Sequence, residues 1–241
     1  MKYIVINRDC DQDRYSEFTS DNSHISDIRK FSAIDGRHLD SRELIQNNII
    51  EEYLNYTKGA LGSAMSHLLL WNAVVENNEP ACIFEDDAML CGNFAEESEA
   101  IISQLPKNWD IILWGNNYDT TLTFELLPGI SHCISQFDQE SLRKGAHTFR
   151  NMNVRSLPFK LFQTLGICGY AISPAGARNL ISQTLPLPDR SFYHVGLDRK
   201  LRNTSIDHVM ADHYRKMNAF TSFPPLCITK NEPGKSTILR S

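Results

Sequence analysis

The stretch Ala81-Cys82-Ile83-Phe84-Glu85-Asp86-Asp87 places four consecutive apolar residues directly before three acids. An unbroken apolar run of this kind reads as a strand covered on both faces, the pattern of a parallel or mixed sheet. In an open α/β sheet, ligands bind beyond the carboxyl ends of the strands, which is where these carboxylates fall. If extended geometry continues through them, Glu85 and Asp87 point to one side and Asp86 to the other. Two carboxylates about 6 Å apart at an effective dielectric near 20 repel by roughly 3 kcal/mol. A hard divalent cation, Mg2+ or Mn2+, removes that cost and typically shares its carboxylates with substrate phosphates. Glu85 and Asp87 are therefore candidate metal ligands, with a nucleotide diphosphate as the natural co-ligand. Taken alone, the three acids read equally well as a solvated strand end or a helix N-cap.

Immediately upstream, Ala60, Ala64, His67, Trp71 and Val74 recur at offsets of four and three, and Leu61, Met65, Leu68 and Val75 form an adjoining apolar face. A helix apolar over so much of its circumference is buried, so residues 60–75 are predicted to form a core helix, ended by Asn77, Asn78 and Pro80. Residues 3–6, 31–34, 109–114 and 166–173 read as strands. Residues 14–19 and 94–105 read as helices, and Pro174 opens another that runs through Leu180. Strands and helices alternate over most of the length, which predicts a layered α/β sheet. Neither a repeat nor a Gly/Ser linker divides the chain, so residues 1–241 are expected to form one domain. Residues 119–162 show weak periodicity and are expected to be loop-rich, covering a site.

The chain is 41% hydrophobic and 22% charged, and 24 Lys plus Arg against 29 Asp plus Glu leave a formal charge of −5. That balance argues against a nucleic-acid backbone as the main partner. There is no apolar run of roughly 18 residues, so a bilayer-spanning helix is not expected. The apolar stretch within residues 1–8 is too short for the core of a secretory signal and reads as the first strand. The six cysteines lie far apart without metal-ligand spacing, and Cys82 and Cys168 fall inside apolar segments. They read as small core residues of a protein in a reducing cytoplasm.

Other chemistry-bearing residues are individually ambiguous. His67 sits on an apolar helix face, where a hydrogen-bonded core histidine is commoner than a ligand. Asn7, Arg8 and Arg14 follow one strand end and Asp35-Gly36 another. Such residues hold phosphate or read a ribose edge, or they cap loops. Asp198, Asp207 and Asp212 accompany His208 and His213. One of these carboxylates, facing residues 85–87, would serve as a general base, though helix-surface charge explains the spacing equally well. Residues 189–202 carry three arginines, a lysine and a histidine, as a solvated loop or as a surface steering an anionic glycan.

Read together, these segments resemble glycosyltransferase family 25, the family of bacterial lipooligosaccharide galactosyltransferases and, more distantly, collagen galactosyltransferases. The resemblance runs through Ile4-Val5-Ile6-Asn7 with Asp13-Arg14, and then Phe31-Ser32-Ala33-Ile34-Asp35-Gly36. It continues in Lys58-Gly59-Ala60-Leu61-Gly62-Ser63-Ala64-Met65-Ser66-His67 with Trp71, and in Ile83-Phe84-Glu85-Asp86-Asp87. Trp109-Asp110-Ile111-Ile112-Leu113 and Gly169-Tyr170-Ala171-Ile172-Ser173 with Gly176-Ala177 complete it, to about residue 180. The Gly-x-x-Gly-x-x-x-Ser-His-x-x-x-Trp helix followed by Glu-Asp-Asp is its specific part.

The resemblance implies an α/β, GT-A-like nucleotide-binding fold with a central mixed, mostly parallel sheet flanked by helices. It implies transfer of a sugar, often galactose, from a UDP-sugar to a hydroxyl with inversion. Glu85-Asp86-Asp87 would stand in place of the metal-binding Asp-x-Asp signature, with Glu85 and Asp87 on Mn2+ or Mg2+. Asn7, Arg14, Asp35, Gly36, His67 and Asp86 would contact the donor. Asp207 is the expected base, with Asp198 as second choice. Two departures stand out: Glu85 replaces the first Asp of the signature, and Ile206-Asp207 replaces the usual Val-Asp pair.

The expected acceptor is a glycan or glycolipid such as lipooligosaccharide, read by residues 185–241. The enzyme would then work in the cytoplasm and touch the inner face of the membrane at its edge. Residues 220–225 are expected either to make that apolar contact or to be buried on the sheet. Rival readings are a metal-dependent nucleotidyltransferase or phosphohydrolase, and a non-catalytic nucleotide-sugar binding module.

Overall fold

A computed structural model of the chain describes residues 1–230. The amino-terminal half opens with β1 (Lys2–Asn7), α1 (Gln12–Asp21), β2 (Ile28–Ser32), α2 (Ser41–Gln46) and α3 (Lys58–Asn77). It continues with β3 (Ala81–Glu85), β4 (Ala88–Leu90), α4 (Phe94–Gln104), β5 (Ile111–Gly115), β6 (Thr121–Leu127) and β7 (Ser131–Gln136). There follow α5 (Gln139–Phe149), β8 (Leu157–Gln163), β9 (Gly169–Ile172), α6 (Pro174–Thr184), β10 (Ser191–His194) and β11 (Arg199–Arg202). The described chain closes with α7 (Ile206–His213), β12 (Ala219–Phe223) and β13 (Cys227–Thr229).

The helix predicted over 60–75 is α3, and its ends follow from local chemistry. The Thr57 hydroxyl accepts from Ala60 N at 3.0 Å, and Asn78 takes the left-handed conformation that stops the helix. Ser173 caps α6 in the same way, with Pro174 in its first turn. The strands expected at 81–84, 109–114 and 166–173 are β3, β5 and β9, and all three are buried along their length except at Glu85, the last residue of β3. Successive side chains enter opposite layers. Ala81 and Ile83 join Trp71, Tyr170 and Tyr214 beneath α3, α6 and α7, whereas Cys82 and Phe84 join Phe94 and Trp114 on the other face.

Nine strands form the central sheet in the order β2-β1-β3-β9-β5-β12-β8-β6-β7. β2, β1, β3, β5, β12 and β6 run one way, so the sheet is mixed with a dominant direction, as expected. β9, β8 and β7 run against them, so parallel neighbours are confined to β1–β2, β1–β3 and β5–β12. Ile6 lies opposite Glu85, and Asn7 opposite Ser32. The carboxyl ends of β2, β1 and β3 therefore finish side by side, which positions the site.

Residues 119–162 are not loop-rich. They hold β6, β7, α5 and the start of β8. Their pattern is weak because β7 is an edge strand with alternating exposure and β8 is only half covered, so neither carries a continuous apolar run. Of residues 220–225, Phe220 to Phe223 belong to β12, and Pro224 and Pro225 follow it outside the sheet. Residues 189–202 contain the β10–β11 hairpin, and two of its arginines are already paired: Arg202 with Asp189 at 2.9 Å and Arg190 with Asp212 at 3.2 Å. All six cysteines are free, and Cys82 and Cys168 are buried, as expected. Among the described residues no helix is long and apolar enough to cross a membrane. Of the segment assigned to the acceptor side, 185–241, residues 231–241 lie outside the described residues.

Candidate functional site

A cleft of about 180 Å³ opens where β1, β2 and β3 end. Its far wall is α3, which contributes Gly59, Ser63 and His67 at intervals of four, one face of the helix. The loop after β2 contributes Ala33, Ile34 and Gly36 and is pressed onto that helix. A Cβ on Gly36 would lie 1.8 Å from Lys58 O, and one on Gly62 would lie 2.4 Å from Ile34 O. Only glycines permit this backbone approach. Ser66 completes the seam, accepting from Ile34 N at 2.9 Å and donating to Gly62 O at 2.8 Å. Ser66 is thus a structural fastener, while Ser63 one turn earlier faces the cleft.

The near wall is held by charge. Strand β3 stops at Glu85, and Asp86 and Asp87 form a turn, so alternation does not continue through the acids. Asp86 accepts from Asn7 Nδ2 at 2.7 Å and from Arg14 Nε at 2.9 Å. Burial alone would lower the pKa of Arg14, but its bond to Asp86 and the charges of Asp86, Asp87 and Glu85 outweigh that and raise it. Asp86 is therefore committed to Arg14 and Asn7, leaving Glu85 and Asp87 facing the cleft. The crowded walls around Asp87, and secondly the Glu85 charge, push its carboxyl up to about 7 despite its open outer side.

His67 is 1% exposed, with Nδ1 2.8 Å from the Tyr170 hydroxyl and Nε2 4.0 Å from Glu85 Oε1. His67 Nε2 and Asn7 Oδ1 are buried polar atoms without a hydrogen-bond partner among the described residues, and both belong to residues lining the cleft. Unsatisfied atoms of this kind are rare in a folded interior and suit a bound polar ligand.

Among the described residues, six carboxylates line the cleft, from Asp11, Glu17, Asp21, Glu85, Asp86 and Asp87, against the cations Arg8, Arg14 and Lys230. Each cation is already engaged: Arg8 with Asp11 at 2.6 Å, Arg14 with Asp86, and Lys230 with Glu17 at 3.2 Å. Among the described residues no group of three or more His, Cys, Asp or Glu side chains forms a ready-made metal cage. Glu85 and Asp87 offer two carboxylates in like-charge strain. That donor set fits a hard divalent ion completing its shell with phosphate oxygens and water, rather than one held by protein alone.

Of the expected donor contacts, Asn7, Arg14, Gly36, His67 and Asp86 line the cleft. Asp35 does not. Its carboxylate is turned onto Arg37, whose side chain and backbone N–H both donate to it, and these bonds hold its pKa well below the usual range. Asp198 is also absent from the lining. It occupies a left-handed position between β10 and β11 and accepts from the Tyr193 hydroxyl.

Asp207, in the first turn of α7, accepts from Gly166 N at 2.8 Å and from the Ser205 hydroxyl. It stands one layer behind the cleft. Gly166 abuts Asn117, which does line it. The acids and histidines expected to cluster near the C-terminus are dispersed, since Asp212 pairs with Arg190 and His208 contacts Arg202 O at 3.0 Å. Asp11, Ser63, Asn117 and Lys230 line the cleft without having been singled out. Only Ser63 carried a signal, being four residues before His67.

The model of glycosyltransferase family 25 (LPS biosynthesis protein) matches residues 1–200. No curated protein matches the chain. Among solved structures, A197 from STIV is similar at a TM-score of 0.35 and 7% identity, over 95% of this chain and 83% of that one. The mannose-1-phosphate geranyltransferase from Thermus thermophilus is similar at a TM-score of 0.31 and 9% identity, over 90% of this chain and 57% of that one.

Proposed function

The chain belongs to glycosyltransferase family 25, and from that premise we propose that it moves a sugar, galactose in this reading, from a UDP-sugar to a hydroxyl of a glycan acceptor such as lipooligosaccharide. The fold is read as GT-A-like and the transfer as inverting. The observation that carries the proposal is the convergence of Asn7, Arg14, His67 and the 85–87 turn on one cleft at the carboxyl ends of parallel strands. An acid-rich cleft repels a diphosphate, which is why a divalent ion, Mn2+ or Mg2+, belongs in this reading.

Glu85 and Asp87 would hold the ion, whose chemistry is to neutralise the donor diphosphate as it leaves. The chain's own residues prepare that step. Arg14 and Asn7 fix Asp86, and so hold the turn that presents Glu85 and Asp87. Asn7 Oδ1 offers an acceptor to the nucleotide, and His67 offers its Nε2 edge. The acceptor hydroxyl attacks the anomeric carbon opposite the diphosphate, so one C–O bond forms as the other breaks. The hydroxyl proton passes to a base, assigned to Asp207 from the resemblance; because Asp207 stands behind Gly166 and Asn117, the proton would reach it through a bridging water.

The test is a panel of nucleotide sugars scored for metal-dependent binding and slow hydrolysis. Release of UDP supports the proposal. Release of sugar 1-phosphate replaces it with nucleotidyl transfer or phosphohydrolysis, and binding without any turnover replaces it with a binding module.

A further inference from the structure

We infer that Tyr170 is a positioning residue for the cleft, fixing His67 as the tautomer whose Nε2–H faces Glu85 and the bound ligand. Tyr170 lies in β9, fully buried, and its hydroxyl has two partners among the described residues. Trp71 Nε1 donates to it at 2.8 Å, and His67 Nδ1 lies 2.8 Å away. Indole nitrogen can only donate, so Trp71 occupies one lone pair of the phenol oxygen. The phenol proton then needs an acceptor. Burial raises the pKa of Tyr170, which keeps that proton in place.

Were His67 to carry its proton on Nδ1, two N–H groups would point at the phenol oxygen and the O–H would be left unsatisfied in the core. Donation from Tyr170 to Nδ1 satisfies the phenol, the Trp71 indole and Nδ1 together. The imidazole proton then resides on Nε2, the atom that is buried, unpartnered and on the cleft side. It stands 4.0 Å from Glu85 Oε1, beyond direct bonding. An oxygen of the ligand, from phosphate or sugar hydroxyl, can enter as its acceptor. The ligand part of this inference rests on the proposed donor reading, whereas the tautomer does not.

The experiment is nitrogen-15 NMR of the full chain with labelled histidine, with the His67 signals identified by their loss in His67→Gln. The expected result is an unprotonated Nδ1 and a protonated Nε2 in the ligand-free protein, with this preference lost in Tyr170→Phe. UDP binding is measured in parallel. His67→Gln, whose amide nitrogen reaches toward the Nε2 position, should bind UDP about three- to tenfold more tightly than His67→Asn, whose amide does not, the scale of one hydrogen bond. Protonation of Nδ1 in the parent chain overturns the inference, whether or not Tyr170→Phe folds. An unchanged tautomer in folded Tyr170→Phe overturns it as well, and equal binding by the Gln and Asn variants overturns its ligand part. Parent chain that shows the expected tautomer but binds no UDP refutes the donor reading and leaves the Tyr170 assignment standing.

Discussion

Asn7 Nδ2 and Asp86 Oδ2 are 2.7 Å apart, so the last residue of β1 and the turn after β3 meet through a carboxylate that Arg14 also holds. Asp86 and Arg14 are 11% and 21% exposed, enclosed enough that losing one leaves the other poorly solvated. A double-mutant cycle of Arg14→Ala and Asp86→Ala, read by denaturant unfolding, should give a coupling of about 1–3 kcal/mol. A coupling near zero would mean that the pair does not hold the turn.

Asp87→Asn removes one of the two carboxylates proposed to hold the ion and leaves the Arg14–Asp86 pair intact. Metal-dependent UDP release should fall at least about a hundredfold, on the order of 3 kcal/mol of lost transition-state stabilisation. The melting temperature should not fall. Turnover of the parent chain that persists in excess chelator would exclude the ion from the mechanism.

The carboxyl of Asp87, pushed up to about 7, makes a signed contribution to stability. In the unfolded chain it ionises near pH 4. Between about pH 4 and about pH 7 the native state holds the extra proton, so stability contributed by this group falls as pH rises and levels off above about 7. The difference in unfolding free energy between Asp87→Asn and the parent chain, measured without divalent ions, should therefore grow in favour of the variant across that window. A flat difference would place the carboxyl in ordinary solvent.

Gly36→Ala and Gly62→Ala each force a methyl into backbone atoms, and each should destabilise the protein by about 2–4 kcal/mol, somewhat beyond ordinary overpacking. Gly145→Ala in α5 meets open space and should stabilise by about 0.5–1 kcal/mol, because alanine is the better helix former. Chemical denaturation of the three variants checks the contrast. Mild effects at both Gly36 and Gly62 would mean that the loop after β2 is not locked to α3.

What was legible in the sequence was whatever local pattern determines. The apolar run 81–84, the helix 60–75 and the Pro174 helix start each depend on neighbours within a turn or a strand, and each is present. Residues 119–162 misled because strands at or near a sheet edge need only alternate exposure, and their pairing partners lie far along the chain. The cleft divides the same way. Asn7, Arg14, His67 and the 85–87 turn follow from strand ends and a helix face. Asp35 and Gly36 are adjacent, yet one caps toward Arg37 and the other lines the cleft, a difference of side-chain direction that no spacing encodes. Asn117 and Lys230 arrive from separate elements, and only tertiary structure brings them in.

The strand β9 lies between β3 and β5, and the carbonyl of Cys168 at its entrance accepts from Glu85 N at 3.0 Å. The pairing of β1 with β3 already spans nearly eighty residues, and the backbone bearing Glu85 then waits for a segment synthesised some eighty residues later still. Such distant closure is slow relative to local pairing. A nascent chain halted before that segment would own every acid of the turn and still lack the shape that makes them useful, which delays competence until most of the polypeptide has emerged.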